Sequence, residues 1–307
     1  MGTRYAVQIA GEPLPEPARS TAKAAIEAQL DTVDRLMSSW RDDSEIVRFN
    51  RVPTGEAMTL SPETRAVLEE ALSVNVVSEG AFDVTVAPLV RAWGFGPGGR
   101  MPRLPDDAEL RHLRPLVGRG GIRLDTGAGR LWKTRDGVEC DLSAIAPGFA
   151  ADRVAAALER LGHRNALVDV GGEIRALGER AHGQPWRVAV AAPDDGRPSA
   201  RIELRDGALA TSGDYRNFWV DEWGSRHSHV LDPRSGRPVA HDLASVTIVR
   251  PTAMEADALA TALLVLGPEH GWVLAEREGW AVHFVRRRGG AFEAVSTPAF
   301  SALEVRS

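Results

Sequence analysis

The stretch Pro251-Thr-Ala-Met-Glu-Ala-Asp-Ala-Leu-Ala-Thr-Ala-Leu-Leu-Val-Leu-Gly267 predicts a buried helix whose two ends are both encoded in the sequence. Thr252 followed three positions later by Glu255 forms a capping box, and Gly267-Pro268 provides a stop. Nearly every residue between these ends is apolar, so no polar stripe is left for solvent. A helix of this kind is buried on most of its sides, and we expect the rest of the chain to pack around it.

Two polar side chains, Asp257 and Thr261, interrupt this helix. They are four residues apart and therefore lie on one face, about one turn from each other. A lone buried carboxylate is costly unless it has a cation, a cluster of donors or a proton. Either Asp257 accepts hydrogen bonds from a nearby turn or pairs with an arginine, or Asp257 and Thr261 supply two ligands of a hard metal ion. The helix alone does not decide between these alternatives.

Length and composition indicate a globular protein with a substantial core. The chain has 307 residues, of which 43% are hydrophobic. A net charge of −5 and the lack of a basic cluster argue against nucleic acid as a partner, and an anionic ligand would need a metal, helix N-termini or single arginines. The single cysteine, Cys140, excludes an internal disulfide framework and a cysteine-based zinc site.

The first residues predict a strand, and no basic and apolar leader precedes them. We therefore expect either a cytosolic protein or one from which a leader has been removed. We expect no membrane span, because Asp257 and Thr261 interrupt the longest apolar run.

The predicted strands outnumber the helices and mostly follow one another along the chain. Besides the opening stretch, helices are predicted at 18–39, 61–78, 149–161 and 269–278. Strands are predicted at 122–124, 131–133, 138–142, 166–170, 186–191, 200–204, 208–211, 218–220, 226–231, 244–249, 281–286 and 291–296. This order predicts an α+β fold with largely antiparallel or mixed β-sheets packed with helices. No linker divides the chain, so we expect a single domain over residues 1–307.

Four groups of polar residues or glycines stand where predicted strands end, which is where sites tend to be built. They are 80–85, 141–148, 169–173, and 211–216 together with 228–233. Taken singly, Gly171-Gly172 suits a turn better than a phosphate loop, His229 suits a hydrogen-bonded strand residue, and Trp40 suits the core better than a ring-stacking position. The sequence contains no P-loop, no G-x-G-x-x-G after a first strand and no H-E-x-x-H, which excludes the usual nucleotide-binding folds and zinc proteases.

Taken together and in order, these motifs resemble the ApbE family of flavin transferases over nearly the whole chain. The motifs are an opening Met-Gly-Thr, Asp43-Ser44-Glu45 with Phe49-Asn50, Gly80-Ala-Phe-Asp-Val-Thr-Val-Ala-Pro-Leu89 with Trp93-Gly-Phe-Gly96, Asp141-Leu-Ser-Ala-Ile-Ala-Pro-Gly148, Gly171-Gly-Glu173, Ala210-Thr-Ser-Gly-Asp-Tyr-Arg216, Ser228-His-Val-Leu-Asp-Pro233 and Glu255-Ala-Asp-Ala-Leu-Ala-Thr261. Any one of them alone would be a weak signal.

The resemblance implies an ApbE-like fold and an enzyme that binds FAD with a magnesium ion. Such an enzyme transfers the FMN half of FAD, through its phosphate, onto a threonine or serine hydroxyl of a target flavoprotein and releases AMP. Hydrolysis of FAD to FMN and AMP, and FAD binding without turnover, are the alternatives. Family members commonly act at the outer face of the cytoplasmic membrane, so the compartment is open between cytoplasm and periplasm.

The resemblance also implies which residues form the site. The metal ligands would be the side chains of Asp257 and Thr261 and the carbonyl of Ala144. The FAD-binding residues would be Met1 and Trp40 at the flavin ring, Ala81, Phe82 and Asp83, Asp141, Pro147, Gly171, Gly172 and Glu173, and His229 and Leu231 near the nucleotide.

One position, Pro147, departs from the family pattern. Pro147 stands where the family usually has a polar residue, often lysine, and proline offers neither a charge nor an N–H. FAD is therefore held less tightly, or a nearby arginine replaces the contact.

His229 is our candidate proton acceptor, because its ordinary pKa lies near neutrality, with Asp257 or Asp214 as alternatives.

Overall fold

The chain is built around a seven-stranded sheet with helices packed against one face. The computed structural model describes residues 2–97, 103–194, 196–215 and 217–305. The prediction that residues 1–307 form a single domain stays a prediction.

The described residues form sixteen strands and eight α-helices. The helices are α1 (Ala18–Met37), α2 (Glu45–Arg51), α3 (Pro62–Val77), α4 (Ala87–Ala92), α5 (Asp107–Leu113), α6 (Ala146–Arg160), α7 (Ala253–Arg277) and α8 (Pro298–Ser301). The strands are β1 (Tyr5–Ile9), β2 (Met58–Thr59), β3 (Ile122–Asp125), β4 (Arg130–Lys133), β5 (Ala166–Val170), β6 (Glu173–Leu177), β7 (Trp186–Val190), β8 (Ala200–Leu204), β9 (Gly207–Gly213), β10 (Phe218–Val220), β11 (Arg226–Ser228), β12 (Leu231–Asp232), β13 (Arg237–Pro238), β14 (Leu243–Arg250), β15 (Ala281–Arg288) and β16 (Ala291–Ser296).

The large sheet has the strand order β1-β5-β6-β9-β14-β15-β16, and each neighbouring pair in it is antiparallel. The other strands form one three-stranded and three two-stranded antiparallel sheets. The prediction of an α+β fold with largely antiparallel sheets packed with helices is confirmed.

The two faces of the large sheet are covered by different elements. Helices α6 and α7 pack on one face, and α1 packs on the outside of α6. On β9, Ala208 and Ala210 belong to the core beneath these helices, whereas Leu209 between them packs with the β7–β8 hairpin and with Phe300 of α8. This alternation follows from the two-residue period of a strand, and it makes β9 a central strand buried on both faces.

Helix α7 is the buried helix that the sequence predicts, with two differences in detail. The Thr252 hydroxyl accepts a hydrogen bond from the Glu255 N–H, as in a capping box, but the Glu255 carboxylate pairs with Arg250. At Gly267, where φ is 79°, the helical geometry breaks and then resumes. The predicted stop is therefore a break within a longer element.

Of the helices that the structure describes, only α7 is long and apolar enough to cross a membrane. Most of its most apolar 18-residue window, 61%, is buried inside the protein. The core helix of a soluble protein can have the same length and composition, so these two properties do not distinguish a core helix from a membrane span.

Residues 138–142, for which the sequence predicts a strand, do not form one. The Asn50 amide donates to the Cys140 carbonyl, and its side-chain oxygen accepts from the Cys140 N–H. The Asp141 N–H donates to the Val84 carbonyl. Because these groups satisfy the backbone here, no ladder forms, and the segment runs as an extended connection into α6.

Candidate active site

A cavity of about 650 Å³ is lined by residues of α7, of the sheet strands β6 and β9, and of β7. This volume suits a ligand larger than a simple metabolite. Most of the predicted site residues lie in its wall: Trp40, Ala81, Phe82, Asp83, Asp141, Ala144, Gly171, Gly172, Glu173, His229, Leu231, Asp257 and Thr261. Pro147 lies in the first turn of α6 and is not a wall residue, and Met1 is outside the described residues. The structure brings the others together, and their individual roles stay predictions.

With 5% of its surface exposed, Asp257 is the most buried carboxylate among the described residues of the cavity wall. Its pKa is raised to about 7, chiefly by burial and also by the charge of Asp152, while a hydrogen bond from the Gly148 N–H at 2.9 Å opposes the rise. None of the described lysines, arginines or histidines forms an ion pair with Asp257. Among the described residues, therefore, no arginine pairs with Asp257, and its carboxylate accepts a hydrogen bond from one nearby donor, the Gly148 N–H.

The N-terminus of α6 is fixed tightly against the first turns of α7. A Cβ atom at Gly148 would lie far inside contact distance of the Ala253 carbonyl oxygen and 2.8 Å from Asp257 Cβ, so this approach needs glycine. One turn further along α6, the Asp152 carboxylate accepts hydrogen bonds from the Ala253 and Met254 N–H groups, each at 2.9 Å. These contacts set the distance between Asp257 and the segment just before α6, which contains Ala144.

The oxygens at this point of the wall fit a small hard cation. All three predicted ligands are in the cavity wall, where Asp257 would contribute a carboxylate, Thr261 a hydroxyl and Ala144 a main-chain carbonyl, and magnesium prefers oxygen ligands. Within residues 2–97, 103–194, 196–215 and 217–305 there is no group of three His, Cys, Asp or Glu side chains placed to share a metal ion. A cation here would therefore complete its coordination with water or with oxygens of a ligand. The observation that favours this fit is a buried carboxylate that forms no ion pair with any described lysine, arginine or histidine.

The segment Ala81 to Asp83 is held in place by Asn75, a buried residue of α3. The Asn75 side-chain amide donates to the Phe82 carbonyl at 2.7 Å and to Asp83 Oδ2 at 2.9 Å. Asp83 also accepts a hydrogen bond from the Thr85 N–H, and burial raises its pKa. Sequence reasoning missed Asn75, although a polar residue among the apolar positions of α3 is a signal that could have found it.

Gly171 and Gly172 form the two-residue turn between β5 and β6. Their φ angles are 75° and 111°, which glycine adopts without strain, and the Asp169 carboxylate accepts a hydrogen bond from the Gly172 N–H at 2.9 Å. The turn interpretation is confirmed, and the same turn is part of the cavity wall. Gly171 and Gly172 can therefore form the turn and contact a ligand at the same time.

Trp40 is in the cavity wall with 72% of its surface exposed. The alternative that places Trp40 in the core is therefore wrong. An exposed indole at the cavity rim can cover a planar ring that lies in the cavity.

His229 lies between β11 and β12, with its ring in the cavity wall. Its Nδ1 atom is 2.8 Å from the Asn217 carbonyl oxygen, which can only accept, so Nδ1 carries the proton and Nε2 is left as an acceptor. Burial lowers the pKa of His229, so the ring is neutral near pH 7. A neutral imidazole with a free acceptor nitrogen can take up a proton.

Asp214, the other candidate base, is fully engaged. Its buried carboxylate accepts hydrogen bonds from Arg226 at 2.8 Å and from Arg287 at 3.0 Å. Hydrogen bonds from two arginines occupy the lone pairs of this carboxylate, which leaves it poorly placed to accept a proton from a ligand.

The described part of the cavity wall is acidic. Its carboxylates are Asp83, Asp141, Asp169, Glu173 and Asp257, and no lysine or arginine is among its described residues. An anionic ligand therefore meets repulsion from the described wall unless cations accompany it.

Comparison with known proteins gives similarities that extend over nearly the whole chain. The model of the ApbE family matches residues 1–284. A protein named FAD:protein FMN transferase from Haemophilus influenzae is 39% identical over 99% of this chain and 89% of its own length. The flavinyl transferase ApbE of Pseudomonas stutzeri, solved in its apo form, is 39% identical with a TM-score of 0.88, covering 97% of this chain and 92% of that one. The flavin transferase ApbE of Vibrio cholerae is 37% identical with a TM-score of 0.88, covering 99% and 96%.

Proposed function

Because the chain belongs to the ApbE family, we propose that it is a magnesium-dependent FAD:protein FMN transferase. It attaches FMN through a phosphoester to a threonine or serine hydroxyl of a target flavoprotein and releases AMP. The observation that carries this proposal is the buried Asp257 beside Thr261 in the wall of a cavity large enough for a dinucleotide.

Asp257, Thr261 and the Ala144 carbonyl would hold the magnesium ion. When bound there, the ion would neutralise the negative charge that develops on the pyrophosphate oxygens. The protein's own contribution is to keep Asp257 in one position, through the Gly148 hydrogen bond and the contact of α6 with α7. A preformed carboxylate of this kind costs no reorganisation when the ligand arrives.

In the reaction, the acceptor hydroxyl oxygen forms a bond to the phosphorus of the FMN half. The bond between that phosphorus and the bridging oxygen breaks, AMP leaves with the bridging oxygen, and the hydroxyl proton passes to a base. His229 is the residue best suited to accept this proton, because it is neutral and its Nε2 is an acceptor. The pairing of Asp214 with Arg226 and Arg287 argues against Asp214 in this role.

The function is tested by incubating the chain with FAD and Mg²⁺, with and without a flavoprotein that offers an acceptor threonine or serine. We expect AMP release and covalent flavin on the acceptor, both abolished by chelator. AMP release that is equally fast without the acceptor would mean FAD hydrolysis instead. FAD binding without AMP in either mixture would mean a flavin-binding protein without turnover.

A further inference from the structure

Ser212 of β9 faces the predicted metal ligand Thr261 of α7. Its hydroxyl oxygen is 2.9 Å from the Thr261 hydroxyl oxygen, and both residues are in the cavity wall. Ser212 continues the row of Ala208 and Ala210, which face the helices, so its direction is set by the alternation of β9. Neither the sequence motif nor the family resemblance gives this serine a role.

A threonine hydroxyl inside a helix has a competing partner in the helix itself. It can rotate to donate to the carbonyl three or four residues earlier, which for Thr261 is that of Ala258 or Asp257. In that rotamer the hydroxyl oxygen would turn from the cavity toward its own backbone. The hydrogen bond with Ser212 is observed instead, and it holds the Thr261 oxygen at the wall.

The Ser212 hydroxyl also offers an acceptor for the Thr261 proton, and either hydroxyl can be the donor in this bond. A hydroxyl has one proton and two lone-pair positions. When Thr261 donates its proton to Ser212, both lone pairs are free for a cation, whereas a proton directed into the cavity would repel one. Ser212 therefore favours one rotamer of Thr261 and can accept the Thr261 hydroxyl proton.

We propose that Ser212 is a positioning residue that orients the Thr261 hydroxyl for cation binding. The inference rests on the proposed function, because it needs a cation at Asp257 and Thr261. It assigns Ser212 no contact with the reacting atoms. Partners that orient metal ligands change metal affinity by about 10-fold or more when removed.

The test compares Ser212→Ala with Ser245→Ala, a matched loss of a hydroxyl on neighbouring strand β14. The Ser245 hydroxyl is buried without a hydrogen-bond partner in the described structure, and Ser245 is outside the cavity wall. FAD binding is followed by flavin fluorescence polarisation over a series of Mg²⁺ concentrations. We expect Ser212→Ala to raise the half-saturating Mg²⁺ concentration by about 10-fold, with FAD affinity at saturating Mg²⁺ within about 2-fold of wild type. Ser245→Ala is expected to leave both values unchanged.

Two further variants separate the hydroxyl from the volume of the side chain. Ser212→Thr keeps the hydroxyl and should retain the wild-type Mg²⁺ requirement, whereas the nearly isosteric Ser212→Cys offers only a weak acceptor and should behave like Ser212→Ala. Melting in chelator checks that each variant is folded, and the Cys variant carries the test if the Ala variant is not.

The two possible failures are distinguishable. If wild-type protein binds FAD equally well in chelator and at every Mg²⁺ concentration, the cation site fails, and the proposed mechanism and the role of Ser212 fail with it. If wild type needs Mg²⁺ but Ser212→Ala or Ser212→Cys needs no more than Ser245→Ala, Ser212 is not a positioning residue and the proposed function stands. An equal loss in Ser212→Thr would likewise overturn the role of the hydroxyl.

Discussion

At the scale of single residues, Asp257 has the largest consequence for stability, because it is buried with one hydrogen bond and without an ion pair to any described basic residue. Its pKa is about 7 in the folded protein, above the value of 3.8 for an ordinary aspartate. A raised folded pKa stabilises the protein at low pH, and this stabilisation is lost as pH rises from about 4 to about 7. The metal-free protein therefore carries a cost at neutral pH that Asp257→Asn should remove.

In chelator, we expect the free energy of unfolding of Asp257→Asn, relative to wild type, to rise by about 1–3 kcal/mol as the pH is raised from 5 to 8. With Mg²⁺ and FAD, the melting temperature should rise for wild type only, because the variant lacks the charge that a divalent ion favours. Thermal melts at both pH values, with chelator or with Mg²⁺ plus FAD, measure this. A variant destabilised equally in all four conditions would mean that Asp257 only anchors the start of α6.

His229 should determine how transfer depends on pH. Because burial lowers its pKa, the ring becomes protonated, and the wild-type rate should fall, only on the acid side of the ordinary histidine pKa of about 6.5. Measured at saturating FAD, His229→Ala should lose about 10²–10⁴ in rate and lose this acid limb. A variant that keeps the acid limb in AMP release would assign the base to another residue.

Trp40 is predicted to stack on the bound flavin. Trp40→Ala should weaken FAD binding by about 1 kcal/mol, or about 5-fold, from the loss of ring stacking. Trp223→Ala is the control, because Trp223 is 71% exposed and outside the cavity wall. Equal affinities of the two variants in a fluorescence titration would remove Trp40 from the site.

Much of the wall could be predicted from motifs, but the residues that hold those motifs in place could not. Asp257, Thr261 and His229 carry recognisable chemistry in a recognisable order. Ser212 acts through Thr261, which is distant in the chain, and Asn75 acts through Phe82 across the turn that follows α3, and neither pairing is visible before the backbone path is known. Pro147 shows the converse, since its motif position predicts a contact with FAD while the residue itself lies outside the wall.

At the scale of elements, the contact of α6 with α7 is the most sensitive to volume. Gly148→Ala would force the Ala253 carbonyl and Asp257 apart, and backbone atoms of packed helices give way poorly. We expect a loss of about 2–4 kcal/mol and a weaker response to Mg²⁺. The control is Gly120→Ala, where an added Cβ meets nothing within 4 Å. Denaturant unfolding that is equally affected in both would mean that the helices can separate at little cost.

The prediction of elements succeeded where the signals are local. The cap at Thr252 and the break at Gly267 depend on a few neighbouring residues. The strand at 138–142 failed because the Asn50 side chain, distant in sequence, takes the hydrogen bonds that a neighbouring strand would have made. The β6 strand was missed although its polar residues Glu173 and Arg175 alternate with apolar Ile174 and Ala176.

At the scale of the whole molecule, charge opposes the proposed substrate. The net charge is −5, and the described cavity wall has carboxylates without a lysine or arginine. In chelator, we expect FAD binding to strengthen several-fold as NaCl is raised from about 0.02 M to about 0.3 M, because salt screens like charges. With saturating Mg²⁺ this dependence should shrink. FAD affinity that falls with salt in chelator would show that net attraction, rather than repulsion, governs binding.

The pairing of β1 with β5 also constrains the order in which the chain can assemble during synthesis. β1 emerges from the ribosome first, but its partner begins only at Ala166, so the N-terminal strand must wait for half of the chain. Helix α7 emerges later still, after most of the cavity wall has been made. A nascent chain that stops before Pro251 would expose the face of β9 and β14 that α7 covers, and exposed apolar strands of this kind favour aggregation. Premature termination late in this gene should therefore yield insoluble fragments rather than weakly active ones.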